Sequence, residues 1–165
     1  MLDFDSRLCL TMSMTSIIAR FLHIIHFIRR SHTLGVRAIV RDEQDRVFLV
    51  KHTYAAGWYL PGGGVDVGET CSQALDKELR EEGNIHLESE ARLIAIYQNA
   101  GMSKRDHVAL YECRDWHQPA PPETPNMEIL DAGFFALDDL PDDLTKATRR
   151  RLAEVAKGGP YDAHW

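Results

Sequence analysis

The sequence has few cysteines, no long apolar run and only a modest excess of negative charge. Each of these features reduces the range of possible functions. Its three cysteines, Cys9, Cys71 and Cys113, are odd in number and lack CxxC or Cys/His metal spacing. This pattern argues against a disulfide framework or a zinc site and favours a reduced, cytoplasmic setting. The net charge of −6 argues against a general nucleic-acid-binding surface.

The apolar residues near the N-terminus predict an amphipathic helix at residues 14–30. The apolar part falls short of the about 20 residues that a membrane span requires, and acidic residues precede it, so we expect no signal peptide. A narrow polar face carries Arg20, His23, His26 and Arg30. The helix therefore either packs on its own domain or on a partner subunit, as in a homodimer, or lies on a membrane surface. We favour packing.

Length and element order predict one α/β domain at residues 32–158, with an N-terminal helical extension at 1–31 and a tail at 159–165. No internal repeat is visible. Apolar, β-branched stretches at 34–41 and 47–52 flank a polar turn and predict a hairpin. The remaining predicted elements are strands at 91–99, 107–113 and 132–137 and a helix at 138–157.

The most informative stretch is a glycine-rich loop followed by a helix. Thr70 is a plausible N-cap, and Gln73 completes a capping-box pattern. Cys71, Leu75 and Leu79 recur at helical spacing and form an apolar stripe. The stripe predicts which face of the helix is buried.

Three glutamates lie on or beside that buried face. Glu78 and Glu82 point to the same side as the apolar stripe, and Glu81 flanks it. Ionised carboxylates are costly to bury unless they are paired or bind a metal ion. Oxygen ligands suit a hard cation, so the cluster predicts a Mg²⁺ site, with Mn²⁺ as the second choice.

The stretch resembles the Nudix box, G-x5-E-x7-R-E-U-x-E-E-x-G-U, in which U is aliphatic. The matching residues are Gly63, Glu69, Glu78, Leu79, Glu81, Glu82 and Ile85. Lys77 stands where the family has arginine and keeps the positive charge without a bidentate fork. Asn84 replaces glycine and is the next-best residue for a left-handed helix end.

The resemblance covers about residues 33–157 and implies a Nudix-like α/β/α sandwich with a curved mixed sheet. It implies Mg²⁺-dependent hydrolysis of a nucleoside diphosphate linked to another moiety. Glu78, Glu81 and Glu82 would bind the ion, with the carbonyl of Gly63 as a further ligand. Lys77 would orient the glutamates.

The remaining site residues are less closely specified. The base that accepts the proton of water is either Glu81 or Glu128. Glu69 and Gly62 are expected to have structural roles in the loop. Candidates for substrate contact are Lys51, Arg37 and Tyr54, with a structural role the stronger interpretation for the neighbouring His52.

The substrate is not identified by these motifs. The proline that marks ADP-ribose hydrolases beyond the box is replaced by Gly101. Residues 116–126, which hold most of the seven prolines, form a loop that is either a connector or a lid. Two alternatives to a nucleotide hydrolase stay open: a non-catalytic module that senses a nucleotide, and a membrane-associated hydrolase of a lipid- or sugar-linked diphosphate.

Deleting residues 1–31 distinguishes the two roles of the N-terminal helix. If the helix packs on the protein, the truncated chain should have a lower melting temperature or lower solubility. If it lies on a membrane, the full chain should sediment with anionic liposomes at low salt, because each basic residue contributes about 1 kcal/mol near such a surface. An unchanged melting temperature together with salt-sensitive sedimentation would contradict packing.

Overall fold

The computed structural model describes residues 31–165, and the helix predicted at 14–30 lies outside them. The elements of the described part are β1 Thr33–Val40, β2 Val47–His52, β3 Trp58–Tyr59, α1 Cys71–Gly83, β4 His86–Leu87, β5 Arg92–Gln98, β6 Asp106–Cys113, β7 Trp116–His117, β8 Ile129–Phe135 and α2 Lys146–Lys157. Among residues 31–165, no helix is long and apolar enough to cross a membrane.

The strands form two three-stranded sheets and a two-stranded ribbon, with a helix on each side. The sheet orders are β1–β6–β5 and β3–β2–β8, and β4 pairs with β7. Only β1 and β6 run parallel among the described strand pairs, so the β structure is mixed. Leu79 of α1 packs with Val36 and Phe48, whereas Leu152 of α2 packs with Leu49 on the opposite side. This arrangement confirms the predicted α/β/α sandwich.

The predicted hairpin of β1 and β2 is wrong beyond its turn. The amide of Asp42 donates to the carbonyl of Arg46 at 3.2 Å, so the turn forms. Beyond it, β1 pairs in parallel with β6, and β2 pairs with β3 and β8. The physical reason is competition for an edge: the glycine-rich loop at 61–65 hydrogen-bonds to the side of β1 that a hairpin partner would occupy.

Both ends of α1 agree with the sequence prediction. The Thr70 side chain accepts a hydrogen bond from the amide of Gln73, and the Gln73 side chain accepts one from the amide of Thr70. Asn84 ends the helix in the left-handed conformation, with φ 51° and ψ 34°. These two caps fix the length of α1 and therefore the position of its glutamates relative to the loop.

The last strand and the last helix differ from their predicted bounds. The strand runs from Ile129 to Phe135, and the helix begins at Lys146 instead of residue 138. Residues 138–144 form turns, because Thr145 is the N-cap: its hydroxyl accepts from the amide of Thr148. The segment before Thr145 contains acidic residues and a proline, which are common near the start of a helix, but its backbone is not helical.

The proline-rich segment contacts the C-terminal end of α1. The Gln118 side chain donates to the carbonyl of Gly83 at 2.6 Å, and the Asn84 side chain donates to the carbonyl of Ala120 at 3.0 Å. These bonds satisfy helix-end carbonyl and side-chain groups. Of the two roles predicted for residues 116–126, the contacts favour the connector.

Residues 159–165, predicted as a tail outside the domain, lie along the edge of β5. The amide of Gln98 donates to the carbonyl of Ala163, and the amide of Trp165 donates to the carbonyl of Gln98, both at 2.9 Å. The segment therefore adds a short parallel bridge to the sheet at Gln98.

The left-handed cap at Asn84 generates a stability prediction. Asn84→Ala and Asn84→Gly both remove the side-chain bond to Ala120, but only alanine has a Cβ that clashes in this conformation. Asn84→Ala should therefore have a free energy of unfolding about 1 kcal/mol lower than Asn84→Gly, measured by urea denaturation. Equal stability of the two variants would contradict the capping role.

Candidate active site

The glycine-rich loop runs along β1 and meets the carboxylate of Glu78. The amide of Val36 donates to the carbonyl of Gly63 at 2.9 Å. A Cβ at Gly63 would overlap the Glu78 carboxylate, and a Cβ at Gly62, which has a φ of 133°, would overlap the carbonyl of Val36. Backbone atoms and the positive φ therefore require glycine at Gly62, and at Gly63 the Glu78 carboxylate lies directly against the loop backbone.

Glu82 is the buried carboxylate of the cluster. It is 4% exposed, and its Oε2 accepts a hydrogen bond from the amide of Gly62 at 2.7 Å. Burial raises its pKa to about 8. The hydrogen bond from Gly62 and the positive charge of Arg37 act in the opposite direction and lower the pKa. The metal-free protein therefore holds Glu82 largely protonated at neutral pH.

His52 lies beside Glu82, although the sequence favoured a structural role for it. Its Nε2 is 3.7 Å from Glu82 Oε1, and its ring stacks on Tyr54 with centroids 4.9 Å apart. Burial, followed by the charge of Arg37, lowers the pKa of His52. Its Nδ1 is buried without a hydrogen-bond partner among the described residues. Strand alternation provided a signal, because His52 follows the buried residues Phe48 and Val50 on one face of β2.

Glu128, Tyr54 and Arg37 surround the same cluster. The Tyr54 hydroxyl is within 3.5 Å of Glu128 Oε1, and the Arg37 guanidinium donates to the carbonyl of Leu60 at 2.9 Å. Burial raises the pKa of Glu78, and the negative charges of Glu81 and Glu128 raise it further. The predicted carboxylates therefore lie close enough to repel one another, with Arg37 as a nearby cation.

Lys77 contacts the loop and not the exposed carboxylate of Glu81. Its ammonium lies 3.2 Å from Asp66 Oδ2 and 3.4 Å from Glu69 Oε1. Glu69 also accepts from the amide of Asp66 at 3.0 Å. Through these contacts Glu69 connects the loop to the helix, which supports the structural role expected for it. Lys77 therefore contacts the loop directly, and its positive charge also opposes the rise in the pKa of Glu78.

Lys51 lies on the opposite face of β2 from His52. Its ammonium pairs with Asp143 at 2.7 Å and lies over the ring of Trp58, 5.9 Å from the centroid. The structure therefore brings together Arg37 and Tyr54 with the glutamates and places Lys51 apart from them. Adjacent residues of a strand face opposite ways, so one strand end does not offer both side chains to one site.

The donors at this site suit a hard divalent cation in kind. Glu78, Glu81, Glu82 and Glu128 offer carboxylate oxygens, and mutual repulsion contributes to the raised pKa values of Glu78 and Glu82. As placed, no three His, Cys, Asp or Glu side chains within residues 31–165 converge on one ion position. Binding an ion would have to draw these carboxylates together.

A cleft of about 650 Å³ lies next to this cluster and shares Arg37 and Gly63 with it, although none of the four glutamates is among its lining residues. Arg37, Tyr59 and Gly63 line one end of it. The turn between β5 and β6 and the start of α2 line the other end, through residues such as Asn99 and Thr148. A volume of this order suits a nucleotide-sized ligand.

The buried Glu82 generates a prediction for the metal-free protein. Its pKa is about 8 when folded, against 4.5 for a glutamate exposed to water. Between these values the folded state keeps a proton that the unfolded chain has lost, so stability should fall as pH rises. The contribution of Glu82 to this slope should reach about 1.4 kcal/mol per pH unit, opposed below about pH 6.5 by His52, whose pKa is lowered.

Glu82→Gln keeps an oxygen acceptor for the Gly62 amide and should flatten that slope. Urea unfolding in excess EDTA, from about pH 5 to about pH 8, measures it. Glu90→Gln, at an exposed glutamate outside the cluster, is the matched control. A slope in Glu82→Gln equal to that of the wild type would contradict the burial argument.

Comparisons with known proteins agree with this geometry. The chain is similar to the crystal structure of a MutT NUDIX hydrolase from Burkholderia pseudomallei, with 31% identity and a TM-score of 0.64, covering 76% of this chain and 98% of that one. It is also similar to an ADP-ribose pyrophosphatase from Streptococcus suis, with 28% identity and a TM-score of 0.60, covering 80% of this chain and 97% of that one.

Curated relatives match over shorter stretches. An 8-oxo-dGDP phosphatase of Homo sapiens is 38% identical over 69 residues, which are 40% of this chain and 21% of that protein. The chain spans between about a fifth and about a half of the length of the first curated relatives. The NUDIX domain model matches residues 31–155, which is most of the chain, and the protein therefore belongs to the Nudix family.

Proposed function

We propose that this protein is a pyrophosphohydrolase that cleaves the diphosphate linkage of a nucleoside diphosphate derivative. The observation that carries the proposal is the junction of the cleft with the acidic cluster. Gly63 lines the cleft and lies against Glu78, while Gly62 donates its amide to Glu82. A nucleotide bound in the cleft would thus present its phosphates at the carboxylates.

The proposed cofactor is Mg²⁺, with Mn²⁺ as the second choice. Glu78, Glu81 and Glu82 would hold it. The carbonyl of Gly63 is a weaker candidate, since it already accepts from the Val36 amide and has one lone pair left. When bound, the ion offsets the charge of the diphosphate and acidifies water, which are the usual contributions of a divalent ion to phosphoryl hydrolysis.

Side chains of the chain itself would bind and orient the substrate. Arg37 is the proposed phosphate contact, because its guanidinium lies at the cleft and acts electrostatically on both Glu78 and Glu82. Lys51 is not proposed as a phosphate contact, because its ammonium group forms an ion pair with Asp143. Glu128 is the better proposed base, since it faces the cluster beside Tyr54 and leaves Glu81 free to bind the ion.

The activities for which the relatives are named support a nucleotide substrate in general. They include an 8-oxo-dGDP phosphatase, RNA pyrophosphohydrolases and an ADP-ribose pyrophosphatase. Those activities share a phosphoric anhydride next to a nucleoside and differ in the group beyond it. We therefore propose a nucleoside diphosphate linked to another moiety. Contact with a membrane surface or with a second copy of the chain stays a prediction for residues 14–30.

Hydrolysis should depend on both the ion and the acidic cluster. A panel of nucleoside triphosphates, ADP-ribose, nucleotide sugars, dinucleoside polyphosphates and capped RNA, assayed for product release with Mg²⁺, identifies the substrate. Glu81→Gln should lower kcat at least about 100-fold, comparable to the loss of one strong electrostatic contributor in a catalytic site.

The control is again Glu90→Gln, which should retain the wild-type rate. Glu128→Gln tests the base: a large loss of kcat with unchanged Mg²⁺ dependence is expected. If the protein binds nucleotides but cleaves no panel member in the presence of Mg²⁺, the result would contradict the proposed hydrolase activity and favour a nucleotide-sensing module.

A further inference from the structure

The far end of the cleft is walled by a segment that the family model does not include. The NUDIX domain model matches residues 31–155, whereas Trp165 lines the cleft together with Asn99 and Met102. Residues 160–165 reach this place by hydrogen-bonding to Gln98 at the edge of β5. This wall is therefore a feature of this chain beyond the matched domain.

A buried arginine of α2 holds the segment in place. Arg151 is 0% exposed, and its guanidinium donates to the carbonyl of His164 at 2.8 Å. The same guanidinium lies 4.3 Å from the ring centroid of Tyr97 and 5.8 Å from that of Trp165. The Trp165 ring meets Tyr97 edge to face, with centroids 5.5 Å apart. The indole is thus fixed from one side by cation–π and aromatic contacts.

A polar group of defined orientation, the side-chain amide of Asn99, lines the same cleft as the indole of Trp165. The Asn99 side chain donates through Nδ2 to Asp106 Oδ2 at 2.8 Å, and Asp106 Oδ1 accepts from the Thr33 hydroxyl at 2.7 Å. A carboxylate accepts and does not donate, so it fixes the amide with Nδ2 toward Asp106. Asn99 Oδ1 is then the acceptor that the amide offers to a ligand.

We propose that this end of the cleft binds the nucleobase of the substrate, with Trp165 stacking on the base and Asn99 Oδ1 accepting from its N–H edge. An aromatic face with an acceptor nearby suits a planar ring that carries a donor at its edge, and a nucleobase is such a ring. The proposal rests on the proposed function for the position of the phosphates. Residues 160–165 would then determine substrate choice.

Binding of AMP and of ribose 5-phosphate tests the proposal without any cleavage, since the two probes differ only in the base. Trp165→Leu keeps an apolar side chain and loses the ring, whereas Trp165→Phe keeps a ring. Trp165→Leu should weaken AMP binding about 10-fold and leave ribose 5-phosphate unchanged, and Trp165→Phe should stay near the wild type. The KM of the best panel substrate should rise in parallel, with kcat little changed.

Fluorescence supplies a second measurement that does not need the leucine variant to fold. The chain has three tryptophans, and AMP should quench the emission of the wild type but not that of Trp165→Phe at equal occupancy. Equal AMP affinity in all variants would overturn the proposal. So would equal weakening of both probes by Trp165→Leu, or a quench that persists in Trp165→Phe.

The two proposals fail separately. If the wild type cleaves a nucleotide but Trp165 variants bind AMP like the wild type, the nucleobase site is wrong and the hydrolase stands. If AMP binding depends on Trp165 but nothing in the panel is cleaved, the hydrolase is wrong and the nucleobase site stands. If neither AMP binding nor cleavage is detected, both are overturned.

Discussion

The structure depends on the close approach of a glycine loop to β1, which leaves no room for a side chain at Gly62. At Gly62 and Gly63 any Cβ would overlap Val36 or Glu78. Because the loop also hydrogen-bonds along β1, it takes the edge that β2 would occupy in a hairpin. The strand β2 consequently enters the second sheet, and the cleft lies where the loop, the sheet and α2 meet.

The same close approach explains the burial of a carboxylate. Glu82 accepts a hydrogen bond from the amide of Gly62. This single hydrogen bond is not enough to offset the loss of hydration of an ionised carboxylate. Its pKa therefore rises to about 8. The proposed cation would favour the ionised form again, so that stability and ion binding are coupled through this residue.

The features predictable from sequence are those set by local spacing. The capping box at Thr70, the left-handed end at Asn84 and the buried stripe of α1 each depend on residues within a few positions of one another. The pairing of β1 was not predictable in this way, because its partner β6 and the loop at 61–65 compete for it across the chain. Lys51 and His52 show the same limit: their opposite faces follow from alternation, but which face meets the glutamates is a tertiary property.

The cleft has two ends of different chemistry, and they come from different parts of the sequence. Arg37 and Gly63 lie at one end, next to the Glu78 carboxylate and within the segment that resembles the family pattern. Trp165 lies at the other, on a segment beyond residues 31–155. Binding energy that a remote end gives equally to the substrate and to the transition state lowers KM and leaves kcat little changed. On the proposed function, the box residues would specify the bond that is attacked, and the choice among nucleotides would come from the opposite wall.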